Sequence, residues 1–78
     1  MGSRHITDED AIQNLTDQTL AGSYDEFADT DEGAVSRFDR TVLSEIDGVL
    51  VATEWDTDEE AKRAFVREVR RMRRMRRA

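Results

Sequence analysis

Ala61, Phe65, Val69, Met72 and Met75 recur at three- and four-residue steps, and Lys62, Arg63, Arg67, Arg70, Arg71, Arg73, Arg74 and Arg77 fill the positions around them. A helix gathers such positions onto one face, since side chains three and four residues apart stand above one another along its surface. Its start is also legible. Thr57 offers a hydroxyl to a free first-turn amide, and Glu60, three residues on, completes a capping box. Acids crowd the first turn and bases the last, which suits both ends of the helix dipole. A long, arginine-rich amphipathic helix must therefore run from residue 58 onward. Whatever precedes it must supply an apolar surface for a narrow stripe.

That helix concentrates one sign of charge. Residues 62–78 hold nine bases against Glu68, a net of +8, whereas residues 1–61 hold 17 acids against Arg4, Arg37 and Arg40, a net of −14. A division on this scale points to a chain that holds a partner rather than one that turns over a substrate. The division also sets the expected organisation: one small domain over residues 1–78, with a flexible tail at 1–7, an acidic helical body at 8–61 and the basic helix at 62–78.

Seventy-eight residues give a core of marginal size. A chain this short buries only about 60 % of its unfolded surface. With no cysteine and a single histidine, neither disulfides nor a zinc site can reinforce it. A homo-oligomer, or a subunit of a larger protein assembly, is the expected remedy. No stretch approaches the roughly 18 apolar residues of a membrane span, and no hydrophobic leader follows Met1. The expected location is intracellular or within a virion, neither secreted nor transmembrane.

A second pattern bears on the fold. Thr7-Asp8-Glu9-Asp10-Ala11, Thr30-Asp31-Glu32-Gly33-Ala34 and Thr57-Asp58-Glu59-Glu60-Ala61 each precede a large apolar residue, namely Leu15, Phe38 and Phe65. As capping chemistry these are three helix starts. The first helix is expected over residues 8–21, with Ile12, Leu15 and Leu20 inward and Gly22 as its stop. Tyr24 and Phe27 should pack back onto the core from the connector that follows. In the middle of the chain Val35, Phe38, Val42, Ile46, Val49 and Thr53 also recur at helical steps, predicting a helix over residues 31–46 and onward toward Glu54. The expected fold is thus all-α, three short helices with a long C-terminal arginine-rich one. The alternative is α+β, with a β-hairpin at about 41–55 turning at Asp47-Gly48, because Asp-Gly between β-favouring runs is the strongest short hairpin signal. Phe38, Val42, Ile46, Trp55, Phe65 and Val69 are the expected core.

No grouping of nucleophile, base and orienting residue is present, so no catalytic residue and no cofactor are expected. The acids do not build a calcium loop. Counted from Asp29 or from Asp56, the sixth position is Ala34 or Ala61 and the twelfth is Arg40 or Arg67, where glycine and glutamate are needed. No metal site is expected, and His5 is a bystander. The binding candidates are Arg67, Arg70, Arg71, Met72, Arg73, Arg74, Met75 and Arg77. Guanidinium groups grip phosphates or carboxylates in pairs of hydrogen bonds, and methionine makes an adaptable docking stripe. A lipid surface is the less fitting partner, since beyond Val69 the apolar stripe consists only of methionines.

Lys62 is the only lysine beside eleven arginines, Asp outnumbers Glu, and Thr and Val are frequent. This bias resembles that of small acidic proteins of extreme halophiles and of their tailed viruses; it rests on composition and on no motif. The marginal core, the split charge and the apolar-plus-arginine last helix point to a non-catalytic structural or adaptor subunit docking through its Arg/Met helix, and the resemblance implies as its concrete form a capsid, neck or tail accessory protein of a virion. In about 1 M salt the screening length is roughly 3 Å and phosphate affinity falls steeply, which favours a held interface. The alternative is a small nucleic-acid-binding regulator that sets the same helix on phosphates.

Overall fold

In the computed structural model, which describes residues 2–75, Asp47 and Gly48 both hold positive φ, 56° and 76°. This is the geometry of a two-residue hairpin turn whose twist matches that of its strands. The hairpin it closes belongs to a larger sheet. In chain order the elements are β1 (Ser3–Ile6), α1 (Glu9–Leu20), β2 (Glu26–Thr30), β3 (Gly33–Phe38), β4 (Thr41–Ile46), β5 (Val49–Trp55) and α2 (Asp58–Met75). The five strands lie in the order β1-β5-β4-β3-β2, and every neighbouring pair is antiparallel.

The protein is therefore α+β, and the expected all-α fold with three short helices is overturned. Residues 31–46, expected as a helix, hold β3 and β4 with the turns that precede them, its expected continuation toward Glu54 lies in β5, and residues 3–6 of the expected tail form the edge strand β1. The helical spacing in the middle segment has a different origin. Two-residue turns follow β2, β3 and β4, and each switches the parity of the inward positions. Val35 and Arg37 thus share one face with Val42, Ser44 and Ile46, and with Val49, Val51 and Thr53. Alternation interrupted by parity switches mimics steps of three and four.

The second Thr-Asp-Glu copy fails as a helix start for a related reason. Thr30 Oγ1 does accept an amide hydrogen, from Glu32 at 3.2 Å, but within a hairpin turn. The threonine hydroxyl serves a turn as well as a helix cap, and Gly33 decides which. Its φ is +156°, and a Cβ there would lie 2.1 Å from the Glu45 carbonyl oxygen of the neighbouring strand.

The main core lies between α2 and one sheet face. Val35, Val42 and Ile46 pack there with Ala61, Ala64, Val69 and Met72, and Ala28, Trp55 and Phe65 border them. Ala61 and Ala64, both buried, let the helix axis come close to the strands. Thr57 caps α2, accepting from the Glu60 amide at 3.2 Å while its hydroxyl donates to the Glu60 carboxylate at 3.1 Å. Phe38 is only half-buried and sits on the opposite face from Val35, outside this core.

α1 joins β1 to β2, the two outer strands, and so crosses the sheet on its other face. Ser36, Leu43 and Ala52 are buried on that side, and the Thr19 hydroxyl meets the Ser36 hydroxyl at 3.1 Å. The helix starts at Asp8, whose carboxylate accepts from the Asp10 amide, one residue later than the threonine. No residue of α1 is fully buried. Leu20, expected inward, is 82 % exposed, and Tyr24 and Phe27 are exposed and stacked on each other at 4.8 Å rather than on the core.

One buried cation holds the β2–β3 end of the sheet. Arg37 donates through Nε to Glu26 at 2.6 Å and through Nη1 to the Asp39 carbonyl at 2.6 Å. Asp25 closes the same corner by accepting from the Asp39 amide at 2.7 Å.

Candidate functional site

The apolar stripe of α2 turns to the sheet, so geometry alone directs most of its cations outward. Met72, expected on the docking surface, is corrected by this packing: it is fully enclosed in the core. Arg67, Arg70, Arg71, Arg73 and Arg74 are exposed. The Met75 side chain and Arg77 lie outside the described residues.

Few of these cations are neutralised at home. Arg63 pairs with Glu59 at 3.2 Å and Arg71 with Glu68 at 2.8 Å, both within the helix. Lys62, Arg67, Arg70, Arg73 and Arg74 form no ion pair among the described residues. Lys62, Arg63, Val66, Arg67, Arg70 and Arg74 line one open depression of about 490 Å³ on the outer face of the helix. Five cations thus surround Val66, a valine 44 % exposed. Such a surface can bind the oxygens of a polyanion while placing an apolar contact at its centre.

Arg67 links this face to its neighbour. Its guanidinium stands over the Trp55 ring, 5.7 Å from the centroid, close enough for cation–π attraction. Trp55 lies at the end of β5, half-buried against the core, and its indole N–H is buried without an acceptor among the described residues. From there a groove of about 270 Å³ runs beside α2 over β5 and β1, lined by Ser3, His5, Ser44, Thr53, Arg67 and Arg71, among others. His5, read as a bystander in a tail, is paired with Thr53 across β1 and β5 and lines that groove.

The sheet face under α1 carries a hollow of a different kind. It measures about 440 Å³ and is bounded by Leu20, Tyr24, Phe27, Leu43 and Leu50, with Asp29 and Glu45 among its lining residues. The sequence reading missed this surface because it gave Leu20, Tyr24 and Phe27 to the core. It also left Lys62, Arg63 and Val66 out of the binding set. Their signal was available, since Val66 falls off the apolar stripe and onto the arginine side of the helix.

Among the described residues no group of three or more histidine, aspartate or glutamate side chains could hold a metal ion. No helix there is long and apolar enough to cross a membrane. No protein-family model, curated protein or solved structure matches the chain.

Proposed function

We propose that the protein is a small, non-catalytic nucleic-acid-binding regulator that sets the outer face of α2 on phosphates. The observation that carries this reading is the cluster of five cations around Val66, of which only Arg63 has a carboxylate partner among the described residues. α2 has 18 residues and is about 27 Å long, enough to follow a run of phosphates. The acidic body works in the same direction. Its carboxylates repel a polyanion, so approach is productive only through the helix.

The test is a salt titration with duplex DNA, followed through the single tryptophan, which lies under Arg67. Neutralising four or five phosphates should give a log–log salt slope of roughly −4. Replacing Arg70 and Arg74 together by alanine should reduce the slope by roughly 2. Absence of binding in dilute buffer, or a slope that ignores both substitutions, defeats the reading.

A second reading is favoured by one specific observation, the exposed apolar residues Leu20, Tyr24, Phe27 and Leu50. Such a patch suits a structural or adaptor subunit of a larger assembly. With the halophile-like composition, a virion accessory protein is its concrete form. Co-purification from the native source with a particle or a large complex would select it.

A further inference from the structure

Two unpartnered surfaces stand on opposite faces of one sheet, and they are complementary. Under α1 lies the hollow formed by Leu20, Tyr24, Phe27 and Leu50, with Asp29 and Glu45 adding acidic character. Outside α2 stands Val66, collared by Lys62, Arg63, Arg70 and Arg74. One is an apolar depression with carboxylates, the other an apolar contact ringed by cations. We propose that the occupant of the hollow is the outer face of α2 from a second copy of this chain, so that copies stack head to tail.

Charge selects this occupant. A symmetric pairing of two hollows would set Asp29 and Glu45 of one copy against the same acids of the other, and like charges facing each other oppose association. Each surface instead finds opposite sign on the far side of its own molecule. Because the two lie on opposite faces, one copy can give α2 and receive it at the same time. The contact is heterologous, so it propagates into an open chain or closes into a ring. This goes beyond the nucleic-acid reading but shares α2 with it, and a bound polyanion therefore competes with the next copy.

The test uses full-length chains in analytical ultracentrifugation. The wild type should show an average mass that climbs with concentration past that of a dimer, and added duplex DNA should reverse the climb. Arg70→Glu with Arg74→Glu, and separately Asp29→Lys with Glu45→Lys, alter only exposed positions and should each give a monomer with unchanged circular dichroism. Mixing the two variants sets the substituted positions against each other with opposite sign and should restore assembly. A wild type that stays monomeric at every concentration overturns the proposal, including the case in which the hollow takes up a basic helix of another protein. Assembly by the α2 variant alone also overturns it, since the interface would then exclude α2. The Asp29→Lys, Glu45→Lys variant keeps α2 intact and should still bind DNA, so failure here and failure of nucleic-acid binding are separately visible.

Discussion

At the scale of single residues, Gly33 and Met72 carry more of the fold than their places in the sequence suggest. A methyl group on Gly33 would meet the Glu45 carbonyl at 2.1 Å, a backbone atom that cannot swing aside. Gly33→Ala should therefore force β3 from β4 and cost upwards of about 1–3 kcal/mol, read as a lower urea midpoint with an unchanged m-value. Met72 is fully enclosed, and Met72→Ala should cost about 2–5 kcal/mol, whereas Arg73→Ala beside it should stay within about 0.5 kcal/mol. Equal effects from Met72 and Arg73 would mean that α2 presents another face to the sheet. Residue types alone could not have settled these roles. Methionine suits a core and a docking stripe equally well, and Thr-Asp-Glu begins a helix at Thr57 but turns a hairpin at Thr30. In both cases the deciding fact is long-range: Met72 joins the core cluster that holds Val35 and Val42, and Gly33 lies against the Glu45 carbonyl.

At the scale of elements, the two helices differ in how firmly they are held. α2 packs its stripe across four strands of the sheet, β2 to β5, and its start, direction and cationic face were all readable from residues 57–74, because one-sided burial leaves a period in the sequence. α1 was readable as a helix but not as a loosely seated one, since its apolar residues are few and none is fully buried. β3 and β4 were hidden by the parity switch at their turns. Of the hairpins, only the Asp47-Gly48 turn announced itself. The difference between the helices should be visible in native-state hydrogen exchange. Amides in the first turns of α1 should exchange by local opening, at free energies well below those of β3, β4 and the middle of α2. Uniform protection through both helices would contradict this ordering. Thr19→Val, which removes the hydroxyl contact to Ser36, should loosen α1 by about 0.5–1.5 kcal/mol and leave α2 unaffected.

At the scale of the whole molecule, the sheet separates charges of opposite sign, and this separation bears on how any role of α2 can be tested. Truncation is the wrong instrument, because removing residues 70–78 takes Met72 out of the core along with the arginines. Substitution keeps the two contributions apart. Arg70→Gln, Arg73→Gln and Arg74→Gln together change the formal net charge from −6 to −9, three cations fewer, and leave the apolar stripe whole. The lost cations point outward from α2, across the sheet from the acidic face, which puts the two beyond the roughly 10 Å screening length of 0.1 M salt but within the roughly 30 Å that holds in 0.01 M. Attraction between the faces is therefore felt in dilute buffer and extinguished near about 1 M, where screening acts within roughly 3 Å. The triple variant should melt below the wild type at low salt, by less than about 10 °C: these arginines form no ion pair among the described residues, so together they should contribute no more than about 1 kcal/mol, which is roughly 4–8 °C for a domain of this size. The gap should close as salt rises. A gap that persists at high salt would show that these arginines act through the packing of their aliphatic stems instead, and the charge division would then matter for partners but not for the fold.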